Sequence, residues 1–313
     1  MSALIDLKRV TKLYGSVIGV NDISLELEKG AYGLLGPNGS GKTTLLNLIT
    51  GQLRPTLGEV RTLGHRPENN AKMLRRIGVC PSTDLLLPNV SGLQWTSHLL
   101  ELSGFSRLQA RQRAEEVLAS VGLADAMHRS LSSYSKGMRQ RAKLAQAFAH
   151  DPEFLLLDEP FNGLDPVGRH EMTTKLLEWT RQGGSILLAS HILHEVESIA
   201  GSFLLICGGR LLASGSAVEV RGLLANIPHE IRITCDRPKV LAQSLMETDL
   251  IEGLRSEKGG ELVLATRTPV RVYEELPGLI ERHKLAVSEL RSPDESLQAL
   301  FDSLLRIHRG ESA

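Results

Sequence analysis

Gly30-Ala31-Tyr32-Gly33-Leu34-Leu35-Gly36-Pro37-Asn38-Gly39-Ser40-Gly41-Lys42-Thr43-Thr44 is the stretch on which the fold turns. Its opening residues are short and apolar, the pattern of a buried strand. Gly36 to Thr43 then fits G-x-x-x-x-G-K-[ST], and Leu45, Leu46, Leu48 and Ile49 follow at helical spacing up to Gly51. Strand, glycine loop and helix in that order form a phosphate cradle. The glycines let successive backbone N–H groups turn inward, and the helix points its positive end at the anion. In such a loop Lys42 reaches the β- and γ-phosphates and the Thr43 hydroxyl ligates Mg2+. The expected ligand is a nucleoside triphosphate.

Further along, Phe154-Leu155-Leu156-Leu157 is an apolar strand ending in Asp158-Glu159-Pro160. An acid at a strand end beside a phosphate loop can hold Mg2+ through water, which suits Asp158. The next acid, Glu159, can take a proton from an attacking water. Strand-like runs recur at Ser185 to Ser190 and Phe203 to Cys207, and Ile23 to Glu28 alternates as a strand with one wet face. Asp165 and Pro166 are an N-cap and N1 pair opening a helix between the first two runs. Strands alternating with helices predict a mainly parallel sheet. From about Pro88 to Met127 the pattern is helical instead: Ser91 with Gln94 and Ser106 with Gln109 are capping boxes, and Gly122 marks a helix end. A further helix is expected over Lys136 to His150, with Ser135 as its N-cap.

The whole-chain figures narrow the classes. At 313 residues the chain is long enough for about two domains. Lys plus Arg and Asp plus Glu are both 36, so no electrostatic footprint for a nucleic acid appears at whole-chain level and a nucleic-acid binder is unsupported, not excluded. Cys80, Cys207 and Cys235 are odd in number and far apart, which argues for a reducing compartment and against disulfides or a zinc site. Asp6 and Lys8 interrupt the amino terminus before an apolar run develops, so no secretory signal is expected there. The longest stretch without Asp, Glu, Lys or Arg is Leu85 to Leu100, too short and too polar to span a membrane.

With these motifs in place, residues 4 to 215 resemble the ATP-binding cassette (ABC) ATPases that drive ABC transporters. Besides the phosphate loop and Asp158-Glu159, the resemblance rests on three runs. Tyr134-Ser135-Lys136-Gly137-Met138-Arg139-Gln140-Arg141 aligns with the family's signature. Asn162-Gly163-Leu164-Asp165 aligns with its D-loop, and Ser190-His191 with its switch histidine. Tyr14 sits where the family stacks an aromatic on adenine, though core packing would also explain it. The implied fold is α/β, a P-loop NTPase cassette with a mainly parallel sheet core, an antiparallel β subdomain and an inserted helical subdomain at about 88–150. To it is added a small C-terminal α+β domain, residues 216–313. The implied cofactors are ATP and Mg2+. Gly36, Pro37, Asn38, Gly39, Ser40, Gly41, Lys42, Thr43 and Thr44 would hold the phosphates, with Thr43, Asp158 and Ser82 at the metal. Lys42, Glu159 and His191 would act in hydrolysis. Ser135, Lys136, Gly137 and Asp165 of a second copy would close the site, making a homodimer.

Two departures stand out. The family normally has glutamine where this chain has Ser82, and serine reaches a metal only through a bridging water. The signature also carries Lys136 and Met138 for the usual glycine and glutamine, which looks like the subclass paired with separate export permeases. The implied function is an ATPase subunit at the cytoplasmic face of the membrane, powering transport through a separate permease, with no nucleic acid expected. A soluble ABC ATPase acting on ribosomes or DNA, or a weakly hydrolysing regulator, are the alternatives. Leu85-Leu86-Leu87, Trp95 and Leu99 are either an apolar groove for a permease helix or plain core. Lys72, Arg75, Arg76, Arg107, Arg111 and Arg113 are most simply a solvated face. Beyond Gly215, strands at His229 to Thr234, Glu261 to Ala265 and Leu285 to Leu290 alternate with helices at Val240 to Met246, Val272 to Arg282 and Glu295 to Leu305, a split βαβ pattern. That appendage either stabilises a dimer or covers one end of the sheet.

Overall fold

The computed structural model describes residues 3–84, 87, 89–216, 219, 228–257 and 260–292. Two compact units divide the chain, Met1–Ser214 and Gly215–Ala313.

In the first unit, β3 (Ala31–Leu35) runs into α1 (Lys42–Ile49) as the glycine pattern demands. Six strands form one sheet: β5 (Ile77–Cys80), β6 (Phe154–Asp158), β7 (Ser185–Ser190), β3, β8 (Ser202–Cys207) and β9 (Arg210–Ser216), in that spatial order. The pairs from β5 through β8 are parallel, and β9 follows β8 by the turn Gly208-Gly209. Register matters most here: Leu35 pairs with Ser190, and Asp158 with Ala189. The loop after β3, the acids after β6 and the histidine after β7 therefore emerge at one edge, the carboxyl ends where open α/β sheets bind ligands. Leu34, Leu45, Leu48 and Phe154 are all 0% exposed and lock α1 to the sheet. Each such side chain contributes about 1.5–3 kcal/mol of apolar burial.

A separate antiparallel sheet has the order β2 (Val17–Leu27), β1 (Ile5–Tyr14), β4 (Leu57–Thr62). The alternation at Ile23 to Glu28 thus marks only the end of a longer strand. Short α2 (Ala71–Leu74) precedes β5. The helical stretch holds α3 (Gly92–Leu102), α4 (Arg107–Ser120) and α5 (Lys136–Phe148), and both expected capping boxes are made, Ser91 with Gln94 and Ser106 with Gln109. Trp95 is buried, so it is core and not the wall of an open groove; Leu85, Leu86 and Pro88 lie outside the described residues. Arg76 is no free surface charge either, since its guanidinium grips Glu153 through two bonds of 2.7 and 2.8 Å. The segments α6 (Pro166–Arg181) and α7 (Leu193–Glu197) flank β7.

The second unit has β10 (His229–Cys235), α8 (Pro238–Met246), β11 (Gly253–Ser256), β12 (Glu261–Thr266), α9 (Pro269–His283) and β13 (Val287–Arg291). Its antiparallel sheet, ordered β11, β12, β10, β13, is the split βαβ arrangement. Strand β11 is absent from the sequence reading, because Gly253-Leu254-Arg255-Ser256 carries one large apolar residue and no alternation. The helix expected at Glu295 to Leu305 lies outside the described residues.

Candidate functional site

The phosphate loop has the geometry its glycines allow. A Cβ on Gly36 would lie 2.4 Å from both the Ile206 carbonyl oxygen and Ser40 Oγ, so no larger residue fits between β3 and β8. Gly41 has φ +109°, and a Cβ there would meet the Gly19 carbonyl at 2.4 Å. The loop is braced from outside by the Gly209 N–H, which donates to the Ser40 carbonyl at 2.9 Å. Lys42 is 7% exposed and its Nζ donates to the Gly36 and Pro37 carbonyls at 2.7 and 3.3 Å. Burial pushes the Lys42 pKa below its ordinary value, against the opposing pull of the Glu159 and Asp158 charges. Ser40 Oγ is buried with no hydrogen-bond partner, a polar atom left over at the loop's heart.

Thr43 and Asp158 meet as expected: Thr43 Oγ1 donates to Asp158 Oδ2 at 2.7 Å. A hydroxyl and a buried carboxylate are hard oxygen donors, the set Mg2+ takes beside phosphate. The residues therefore fit that ion, and the orphan Ser40 hydroxyl fits an anion next to it. Asp158 ends β6 and faces the loop, whereas Glu159 has φ +51°, a left-handed turn that sends consecutive acids in different directions. The Glu159 N–H donates to the Ala189 carbonyl at 2.8 Å, fixing that turn on β7. Glu159 Oε1 lies 2.9 Å from His191 Nδ1, and Oε2 3.4 Å from Ser190 Oγ.

Tyr14 is 45% exposed, with its hydroxyl 3.4 Å from Thr44 Oγ1 and Lys12 Nζ 5.5 Å from its ring centre. The exposure argues against core packing and places the ring beside the loop. Pro37, Asn38 and Gly39 form the loop's outer turn, with the Pro37 carbonyl accepting from the Ser40 N–H at 3.1 Å.

Other expected site residues lie elsewhere in the chain. Ser135 caps α5 by accepting the Met138 N–H at 3.2 Å. Lys136 Nζ donates to Asn162 Oδ1 at 2.9 Å, and a Cβ on Gly137 would touch the Gly163 carbonyl at 2.9 Å. The signature run thus packs on the Asn162–Asp165 segment of its own chain, not on the phosphate loop. Asp165 spends Oδ1 on the Gly168 N–H, 2.9 Å away, as the N-cap of α6. Ser82 Oγ has no hydrogen bond to Thr43 or Asp158; the serine is held by its carbonyl, which accepts from Lys143 Nζ at 3.5 Å.

Sequence reasoning missed Lys143 and Gln140, both on the buried face of α5. Lys143 is 3% exposed; its Nζ donates to the Pro81 carbonyl at 3.0 Å and pairs with Asp84 Oδ1 at 3.1 Å. Gln140 Nε2 donates to the Pro160 carbonyl at 2.7 Å, just past the acid pair. Their signal was two polar residues at positions 140 and 143, inside a stripe otherwise made of Leu144 and Ala147.

A family model described as "ABC transporter" matches residues 20–162. Among curated relatives, the Nod factor export ATP-binding protein I of Cupriavidus pinatubonensis is 32% identical, over 89% of this chain and 85% of that one. The daunorubicin/doxorubicin resistance ATP-binding protein DrrA of Streptomyces peucetius is 32% identical, over 79% of this chain and 75% of its own length. A solved structure described as the ATP-binding subunit of an ABC transporter superposes with a TM-score of 0.65 at 26% identity, covering 71% of this chain and 93% of that chain. A dimeric ATP-binding cassette bound to ADP and Pi shares the fold, with a TM-score of 0.63 at 24% identity over 68% of this chain and 98% of its own. Identity of this depth across most of both chains, with a family-model match that spans the phosphate loop and the acid pair, makes this chain an ATP-binding protein of the ABC transporter family.

Proposed function

We propose that the chain hydrolyses ATP as a homodimer and so powers transport, in the export direction, through a separate permease at the cytoplasmic face of a membrane. The observation that carries the reading is the division of labour between two neighbouring acids. Asp158 takes the Thr43 hydroxyl, and Glu159, turned away by its left-handed φ, takes His191. Gly36 to Thr44 wrap the phosphates and Lys42 meets their charge, while Tyr14 stacks on adenine. Thr43 and Asp158 would hold Mg2+, with Ser82 reaching it through water, and the bound ion would supply neutralisation of phosphate charge. Glu159 accepts the proton of the attacking water. With His191 Nδ1 turned to Glu159, Nε2 is the nitrogen left to face the γ-phosphate and place that water.

Ser135, Lys136, Gly137 and Asp165 bond or pack against Met138, Asn162, Gly163 and Gly168 and not against their own phosphate loop, which supports their closing the loop of a second copy. ATP would then favour the closed pair and hydrolysis would release it, the difference in binding that drives a permease. Among the described residues no helix is long and apolar enough to cross a membrane, which supports a separate permease. The export direction leans on the names of the relatives above.

The test is Glu159→Gln, assayed by phosphate release and by MgATP binding. Hydrolysis is expected to fall about 10²–10⁴-fold with binding retained. A variant that hydrolyses as fast as an active unaltered protein would overturn the reading, and an unaltered protein that binds MgATP but releases phosphate no faster than an inactive variant would favour the regulator.

A further inference from the structure

Behind Glu159 and His191 lies a second carboxylate that the reading above does not use. Glu195, on α7, is 6% exposed. Its Oε2 accepts from Ser190 Oγ at 2.9 Å, and its Oε1 faces Arg169 Nη1 at 3.1 Å as a charge pair without a directed hydrogen bond. Arg169, in the first turn of α6, also donates from Nε to the Leu164 carbonyl at 3.3 Å, immediately before Asp165. Ser190 Oγ receives the Ile192 N–H at 3.0 Å and lies 3.4 Å from Glu159 Oε2.

A hydroxyl has one proton to give. Two carboxylates flank this one, and the shorter contact belongs to Glu195. A carboxylate so deeply buried is costly unless its partners hold it, and here one of the partners is the residue preceding His191. We propose that Glu195, steadied by Arg169, is a positioning residue for hydrolysis: it draws the Ser190 proton away from Glu159, keeping Glu159 Oε2 free to accept a proton from water. The same pair joins the Ser190–Ile192 turn to the Leu164 carbonyl, so the histidine and the segment leading to Asp165 share one anchor. This deepens the proposed function and rests on Glu159 being the base.

The chemistry of Glu195→Gln follows from its neighbours. The amide must turn its carbonyl to the Arg169 cation and its NH2 to Ser190. Ser190 Oγ then accepts from that NH2 and from Ile192, and its own proton is left to point at Glu159 Oε2. Deleting the hydroxyl removes the misdirected proton, so the two sites form a cycle.

Steady-state ATPase kinetics on the full chain would compare the unaltered protein, Glu195→Gln, Ser190→Ala, the double variant and Glu159→Gln. Glu195→Gln is expected to lower kcat about tenfold with the MgATP KM within about twofold, and to have almost no further effect in the Ser190→Ala background. An equal loss in both backgrounds, or a rise in KM in place of a fall in kcat, would mean a merely structural carboxylate and overturn the proposal. No loss in Glu195→Gln alongside an inactive Glu159→Gln would sink this inference alone. A fully active Glu159→Gln would remove the base itself and the proposal with it.

Discussion

Replacing Lys143 by methionine keeps the stem and removes the ammonium that holds the loop after β5. Its two short contacts are the Pro81 carbonyl at 3.0 Å and Asp84 Oδ1 at 3.1 Å; the Ser82 and Thr83 carbonyls at 3.5 and 3.4 Å lie at the edge of bonding range. A hydrogen bond from a charged donor is worth about 1.5–3 kcal/mol, and its loss leaves the carbonyl of Pro81 short of a partner. Asp84 is 46% exposed at its side chain and keeps Arg139 at 3.0 Å. Its pairing with Lys143 therefore adds under about 1 kcal/mol. Against these stands the cost of keeping an ammonium 3% exposed, which methionine relieves. The net expectation is a loss of about 2 kcal/mol. Urea unfolding followed by tryptophan fluorescence isolates the right unit, because Trp95 and Trp179, the chain's two tryptophans, both lie before Ser214. With a slope of about 3 kcal/mol per M, the midpoint should fall by roughly 0.7 M. An unchanged midpoint would refute the reasoning: the ammonium's desolvation would then cancel its bonds, and the loop would owe its place to something else.

Two further outcomes follow from burial. Burial lowers the pKa of His150 below its ordinary 6.5, opposed by its bond to the Ile77 carbonyl at 3.0 Å. The unfolded chain therefore takes a proton first as pH falls, so this contribution is complete above about pH 6.5 and is lost as pH falls from there toward the lowered folded value. The same fluorescence assay across pH 7.5 to 5 should show that decline, flattened in His150→Gln; an identical slope in the variant would disprove the assignment. Burial also pushes the Cys80 thiol up to about 12, so at pH 8 it carries almost no thiolate. A thiol reagent on the native protein should label half-buried Cys207 and spare Cys80 until unfolding, by peptide mass analysis. Rapid Cys80 labelling would mean that β5 and β6 part in the native state.

The parts of the site legible in the sequence are those that local chemistry dictates. Gly36 and Gly41 are required where only a missing Cβ lets the loop pass the Ile206 and Gly19 carbonyls. Ser91, Ser106, Ser135 and Asp165 cap helices because a short polar side chain meets an N–H three residues on. What could not be read locally is the convergence. Thr43 meets Asp158, and Glu159 meets His191, only because β3, β7 and β6 lie side by side in parallel with Leu35 opposite Ser190 and Asp158 opposite Ala189. A motif gives the residue types, and the register decides which atoms touch. The Glu195–Arg169 pair had no sequence signal at all: both residues read as ordinary helix-surface charges until the fold buries one of them.

Ser82 shows where a motif-level departure and its structural consequence part company. Where the family has a glutamine, a shorter side chain suggests a loop that has lost its grip on the site. Yet the grip here comes from behind the loop. The cations Lys143 and Arg139 of α5 hold the Pro81 carbonyl and the Asp84 carboxylate, and α5 begins with the signature residues Ser135 and Lys136. Four residues after β5 are thus fastened to the same helix whose amino end carries the signature, whatever side chain stands at position 82. Movement of one would carry the other with it. A serine at 82 therefore shortens the side chain without loosening the loop, and on the function proposed above it is Glu159, 2.9 Å from His191, whose replacement would separate an ATPase from a regulator.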